Sequence, residues 1–96
     1  MRVVWSPQAR EDLREIYLYI AEENPSAARL VQARVKKLVA FLKDNPHIGY
    51  PGRVPKTREL VIPRTPYIVP YRLRDDYIEI LRVYHGARKW PEGFEP

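Results

Sequence analysis

A chain of 96 residues with 45% apolar side chains can build one compact domain and no more. With no cysteine it has no disulfide, no thiolate nucleophile and no sulfur-ligated zinc, and two histidines, His47 and His85, are too few and too far apart for a metal site. The formal charge of +5 comes mostly from arginine, twelve against five lysines, and favours an anionic or acidic partner without naming one.

Arg2 to Trp5 is a short β-rich run that ends at Ser6-Pro7. Serine before proline predicts a helix start, because the hydroxyl accepts an orphan backbone N–H and proline at the first helical position gives up no hydrogen bond. Glu11 and Asp12 then fall near the positive end of the helix dipole. Ala9, Leu13, Ile16, Tyr17 and Ile20 keep helical spacing and define one apolar stripe, and the helix should stop near Asn24. Leu18 and Tyr19 point away from that stripe. They are either scattered surface apolars or a second packing face for a partner.

Asn24-Pro25-Ser26 repeats the start signal, and Ala27, Leu30, Val31, Val35, Leu38, Val39 and Leu42 hold helical spacing until Asn45-Pro46. So short a connection predicts an antiparallel helical hairpin. Arg29, Lys36 and Lys43 form a basic stripe on the other side of this helix, the ordinary make-up of a solvated face, with a phosphate-tracking ridge as the alternative.

His47 to Thr57 is rich in glycine and proline and reads as a loop. Strands are expected over Arg58 to Ile62, Tyr67 to Leu73 and Tyr77 to Tyr84, with turns at Pro63 to Pro66 and Arg74-Asp75-Asp76. Strict alternation would put Ile78, Ile80, Arg82 and Tyr84 on one face of the last strand, and Tyr77, Glu79, Leu81 and Val83 on the other. Pro70 cannot donate a ladder bond, so it calls for an edge position or a bulge. The whole is a single domain over 1–96 of α+β class with two layers. An N-terminal strand precedes the helical hairpin and a three-stranded antiparallel meander (βααβββ), with the helices on one sheet face.

The N-terminus lacks a signal-peptide pattern and no segment reaches membrane-spanning length, so a cytoplasmic protein without membrane contact or cofactor is expected.

Several short motifs now line up: Trp5-Ser6-Pro7 with Ala9 and Asp12-Leu13, Tyr19-Ile20, Gly49 to Arg53, Thr57-Arg58-Glu59-Leu60, Pro66-Tyr67-Ile68-Val69, Tyr71-Arg72, and Ile80 through Arg88. In this order and spacing the chain resembles the RelE/ParE superfamily of toxins from bacterial type II toxin-antitoxin systems. The resemblance implies a cognate antitoxin as partner, with oligomers formed through the toxin-antitoxin complex.

The superfamily divides by target. RelE-like members cut mRNA on the ribosome, and their pattern sets lysines and an arginine on the second and third strands, an arginine after the last strand and a tyrosine near the end. The matching strand positions here hold Glu59, Val61 and Ile68; Arg88 is retained, and Phe94 lacks the hydroxyl. Cations and acids of this kind are worth about 10²- to 10⁴-fold each in rate. The resemblance therefore leans to the ParE-like branch, whose members bind DNA gyrase.

On that reading Arg58, Arg82, His85, Arg88 and Trp90 form the target surface, and Leu18 and Tyr19 the antitoxin surface. If the chain were a ribonuclease acting on ribosome and mRNA, Arg58, Glu59, His85 and Arg88 would carry the chemistry, with His85 as acid and Glu59 as base. A plain nucleic-acid-binding module is a further alternative. It lacks a recognition helix, a zinc motif or a paired-aromatic strand signature.

Overall fold

The computed structural model describes residues 1–87. Its elements are β1 (Arg2–Trp5), α1 (Pro7–Ala21), α2 (Pro25–Phe41), β2 (Tyr50–Pro51), β3 (Arg58–Val61), β4 (Tyr67–Leu73), β5 (Tyr77–Ile80) and β6 (Tyr84–His85). Both helices start where the sequence says. The Ser6 side chain accepts from the Ala9 N–H at 3.0 Å, and the Asn24 side chain accepts from the Ala27 N–H at 3.0 Å. A proline stands just inside each cap, where its missing N–H costs nothing. Among the described residues no helix is long and apolar enough to cross a membrane.

β3, β4 and β5 form the expected antiparallel meander, and β1 lies outside it, paired in parallel with β5 from Arg2↔Tyr77 to Trp5↔Ile80. The sheet is therefore mixed. Two details depart from the expectation. The stretch read as loop contributes the short strand β2, which pairs with the start of β3. The last strand is broken: Tyr71 faces Ile80 and Ile68 faces Tyr84, so Val69 and Pro70 of β4 stand opposite Leu81, Arg82 and Val83. This is a β-bulge with one extra residue. Pro70 is accommodated by the bulge in the strand beside it, and not by an edge position, since β4 is flanked on both sides.

The extra residue reverses the side-chain alternation. Val83 joins Ile78 and Ile80 in the core, while Tyr84 turns to the other face and reaches Glu59. The expected common face of Ile78, Ile80, Arg82 and Tyr84 thus ends at Ile80.

The core lies between the helical hairpin and one sheet face. Val35, Val39 and Leu42 from α2 and its end meet Leu13 from α1, and Leu60, Val69, Tyr71, Ile78 and Ile80 from the sheet. Each such buried aliphatic stabilises the fold by about 1.5–3 kcal/mol relative to an exposed one. Ala28 is fully buried although the apolar pattern ran through Ala27, and Leu30, counted in that stripe, is half exposed. Leu30 thus turns outward.

Candidate functional site

A groove of about 660 Å³ lies between α1 and the β6 edge. Its α1 wall is Asp12, Glu15, Ile16 and Tyr19, spaced i, i+3, i+4, i+7 and so on a single helical face. Its other wall is Tyr67, Arg82, Val83 and His85.

Asp12 organises this wall. One carboxylate oxygen takes the Arg82 Nε at 2.7 Å and the Val83 N–H at 3.0 Å, and the other takes the Arg82 Nη2 at 2.9 Å. The hydrogen bonds that Arg82 donates to Asp12 hold the guanidinium still more firmly protonated than usual, against the opposing effect of burial. Asp12 was expected to serve the helix dipole. It instead fixes the bulge to α1, and Arg82 is committed to this pair.

His85 stands edge-on to Tyr67, with ring centroids 5.8 Å apart and planes at 82°. Its Nδ1 accepts from the Ala87 N–H at 3.1 Å, so in the neutral ring the proton sits on Nε2. That leaves Nε2 as the donor. Tyr19, 69% exposed, borders the same groove, whereas Leu18, also exposed, lies about 100° round the helix and outside it.

Arg58 and Glu59 belong elsewhere. The Arg58 Nη1 donates to the Gly49 carbonyl at 2.8 Å and the His47 carbonyl at 3.2 Å, fastening the loop before β3. The Tyr71 hydroxyl shares that task, accepting from the Gly49 N–H at 2.9 Å and donating to the Pro46 carbonyl at 2.8 Å. Burial pushes the Tyr71 hydroxyl pKa up.

Glu59 is buried on the sheet face away from the helices. Its Oε2 accepts from the Arg53 N–H at 2.8 Å, and its Oε1 lies 3.5 Å from the Tyr84 hydroxyl. The Arg53 guanidinium stacks 5.6 Å from the Tyr84 ring centre. Burial first, and the Glu59 charge second, push the Tyr84 hydroxyl up to about 12.

Arg58 is opposite Tyr71 and His85 opposite Tyr67, on the two sides of β4. Four residues along a strand and two strand spacings across put their backbones about 16 Å apart. The fold therefore brings Arg82, His85 and Tyr19 to one groove and keeps Arg58 and Glu59 out of it. Arg88 and Trp90 lie outside the described residues, as does Phe94.

Sequence reasoning missed Asp12, Glu15 and Tyr67 as groove residues. The i, i+3, i+4, i+7 spacing of Asp12, Glu15, Ile16 and Tyr19 was the available signal, flanking the apolar stripe that drew attention first.

Comparison with known proteins fits this architecture. Residues 3–90 match the family described as ParE toxin of type II toxin-antitoxin system, parDE. Y4kP of Sinorhizobium fredii is 44% identical over 91 residues, covering 95% of this chain and 94% of its own. Toxin RelE2 of Caulobacter vibrioides is 32% identical, covering 91% of this chain and 97% of its own. Among solved structures, the chromosomal ParDE toxin-antitoxin system from P. aeruginosa aligns with a TM-score of 0.79 at 31% identity, covering 88% of this chain and 95% of that one. The RelBE2 toxin-antitoxin complex from Mycobacterium tuberculosis aligns with a TM-score of 0.62 at 28% identity over 88% and 95% of the two chains. Matched by the family over residues 3–90, this chain belongs to the ParE toxin family of type II toxin-antitoxin systems, within the RelE/ParE superfamily.

Proposed function

We propose that this toxin acts in the cytoplasm by gripping DNA gyrase, without cutting RNA, and is neutralised in a complex with a cognate antitoxin. The observation that carries the reading is the make-up of the sheet face away from the helices. Glu59, Val61 and Ile68 occupy the three strand positions at which the RelE-like pattern sets cations, and all three share that face: Val61 pairs with Ile68, and Glu59 with the buried Pro70. Two are alkyl groups. The third is a carboxylate already bound to the Arg53 N–H.

Transphosphorylation by a 2′-hydroxyl needs positive groups around the phosphate as its charge builds. The three matching positions here supply none. A nuclease without those cations would lose several decades of rate, whereas a binding toxin loses nothing. Of the proposed target residues, Arg58 and Arg82 act by holding loop and bulge in place, and His85 with Arg88 and Trp90 make the contact.

The ribonuclease reading keeps one supporting feature, the Nε2 donor of His85 at the groove. Purified toxin added to a supercoiling reaction and, separately, to translating ribosomes with primer-extension readout tests the two. Blocked supercoiling with intact message is the expected result, and message cut at codons would overturn the proposal.

A further inference from the structure

The sheet face away from the helices carries a cluster of arginines that neither the fold nor the groove explains. Tyr77 and Glu79 alternate with the core residues Ile78 and Ile80, so both point to that face. Arg2, opposite Tyr77 on β1, lays its guanidinium 5.4 Å from the Tyr77 ring centre. Arg72, opposite Glu79 on β4, gives its Nε to the Glu79 Oε1 at 2.7 Å, and Arg74 gives its Nε to the same oxygen at 3.2 Å. Three guanidiniums thus stand around one carboxylate.

The sharing leaves donors over. Arg72 and Arg74 both bind through Nε, and among the described residues their terminal Nη groups have no partner, nor has Arg2 beyond its stack on the ring. The Arg74 N–H donates to the Tyr77 carbonyl at 2.8 Å, so Arg2, Tyr77 and Arg74 stand abreast, with the outer two about 10 Å apart. Asp75 and Asp76, in the exposed turn beyond them, bound the cluster on that side. Ile68 lies four residues back along β4, about 13 Å from Arg72, so these cations stand well away from the positions that the RelE-like pattern charges.

Guanidinium forks fixed in a row on a sheet suit the regularly spaced phosphates of a stiff polymer. Single-stranded nucleic acid is held instead by bases stacked on open aromatic rings, and here Arg2 already covers Tyr77. A flexible acidic peptide must be ordered before it can match such a row, at a cost in entropy that a duplex does not bear.

We propose that this face grips the backbone of duplex DNA through Arg2, Arg72 and Arg74, without reading its sequence. The duplex assigned to it is the one that gyrase holds, which rests on the reading that this toxin acts on that enzyme. A toxin touching enzyme and DNA together is anchored twice on one complex.

Full-length toxin and a short mixed-sequence duplex, followed by fluorescence anisotropy over a range of salt, provide the first arm of the test. Arg2→Gln with Arg74→Gln removes two cations and leaves the Arg72 pair with Glu79 in place. Lys36→Gln with Lys43→Gln removes the same net charge from the exposed basic stripe of the second helix and its end. The sheet-face double variant should bind about tenfold more weakly and flatten the plot of log affinity against log salt by about 1.8, at about 0.9 for each lost phosphate contact. The helix-stripe variant should bind nearly as the unaltered protein does. Glu79→Gln, which uncovers the guanidiniums, should tighten binding. Equal losses from the two double variants, no duplex binding, or tighter binding of single-stranded RNA or of a polyglutamate peptide would overturn the proposal.

Gyrase supplies the second arm. The sheet-face double variant should need about tenfold more protein to block supercoiling, and potency equal to that of the unaltered toxin would reject gyrase-held DNA as the ligand. An unaltered toxin that leaves supercoiling running would count against the gyrase reading itself, while the duplex arm still decides whether the face grips DNA.

Discussion

Leu81 gives its peptide N–H to the Pro70 carbonyl at 2.9 Å and receives nothing back, because proline has no N–H to return. In an unbroken antiparallel ladder the two residues would exchange both bonds. The Leu81 carbonyl accepts instead from the Ser6 hydroxyl at 2.9 Å, and the Ser6 N–H goes to the Ile80 carbonyl at 2.9 Å. One proline thereby releases an acceptor that ties the start of α1 to the bulge, and with it the α1 wall of the groove to the β6 edge.

Replacing Ser6 with alanine should remove both the helix cap and the Leu81 partner. The expected loss is about 1–3 kcal/mol, read as a lower urea midpoint with an unaltered slope. Ser6→Thr, which keeps the hydroxyl, should recover most of it.

Asp12→Ala should be more damaging than Arg82→Met. The first leaves a partly buried guanidinium and the Val83 N–H without their acceptor, at about 2–4 kcal/mol. The second leaves Asp12 still bonded to Val83, at about half that. Equal losses in urea unfolding would show that the Val83 bond contributes little.

Stability should decline on the alkaline side. The Tyr84 hydroxyl titrates near 10.0 in the unfolded chain and is pushed up to about 12 in the folded one, and Tyr71 is shifted in the same direction. Below the unfolded value both states hold the proton and nothing is lost. Between the two values the unfolded chain gives its proton up first, so unfolding becomes easier as pH rises. Tyr84→Phe should flatten this decline in urea midpoints measured across that window, leaving the smaller part due to Tyr71.

The loop before β3 should depend on Tyr71 and Gly49 together. Tyr71→Phe leaves the Gly49 N–H and the Pro46 carbonyl unpaired, with an expected cost of about 2 kcal/mol. At Gly49 a Cβ would stand 2.7 Å from the Tyr71 hydroxyl, closer than side-chain carbons come, so Gly49→Ala should cost about 1–3 kcal/mol through displacement of the ring. Thermal unfolding of each variant checks both.

Local chemistry was legible in the chain wherever one or two residues decide the outcome. Ser6-Pro7 and Asn24-Pro25 marked the helix starts, and the β4 limits at Tyr67 and Leu73 matched the alternation and turn residues. Pro70 announced an irregularity, but whether it took an edge or a bulge depends on the neighbouring strand, which no local pattern specifies. Beyond the bulge the parity inverts, so Tyr84 and Val83 exchange faces.

The groove was harder to foresee for a related reason. Asp12 and Arg82 are 70 positions apart, so the ion pair that holds the arginine could not be read from local pattern. Arg58, on the strand itself, was legible as an arginine near a loop. Its two carbonyl partners were not.

The parallel match of Arg2–Trp5 with Tyr77–Ile80 sets the order in which a harmful protein comes into being. During synthesis the first strand must wait until residue 80 has emerged, since β5 is its sheet neighbour among the described residues. The groove wall built from Arg82 and His85 arrives later still. A growing polypeptide cut short before that point has neither the β1–β5 pairing nor the groove wall that Arg82 and His85 form.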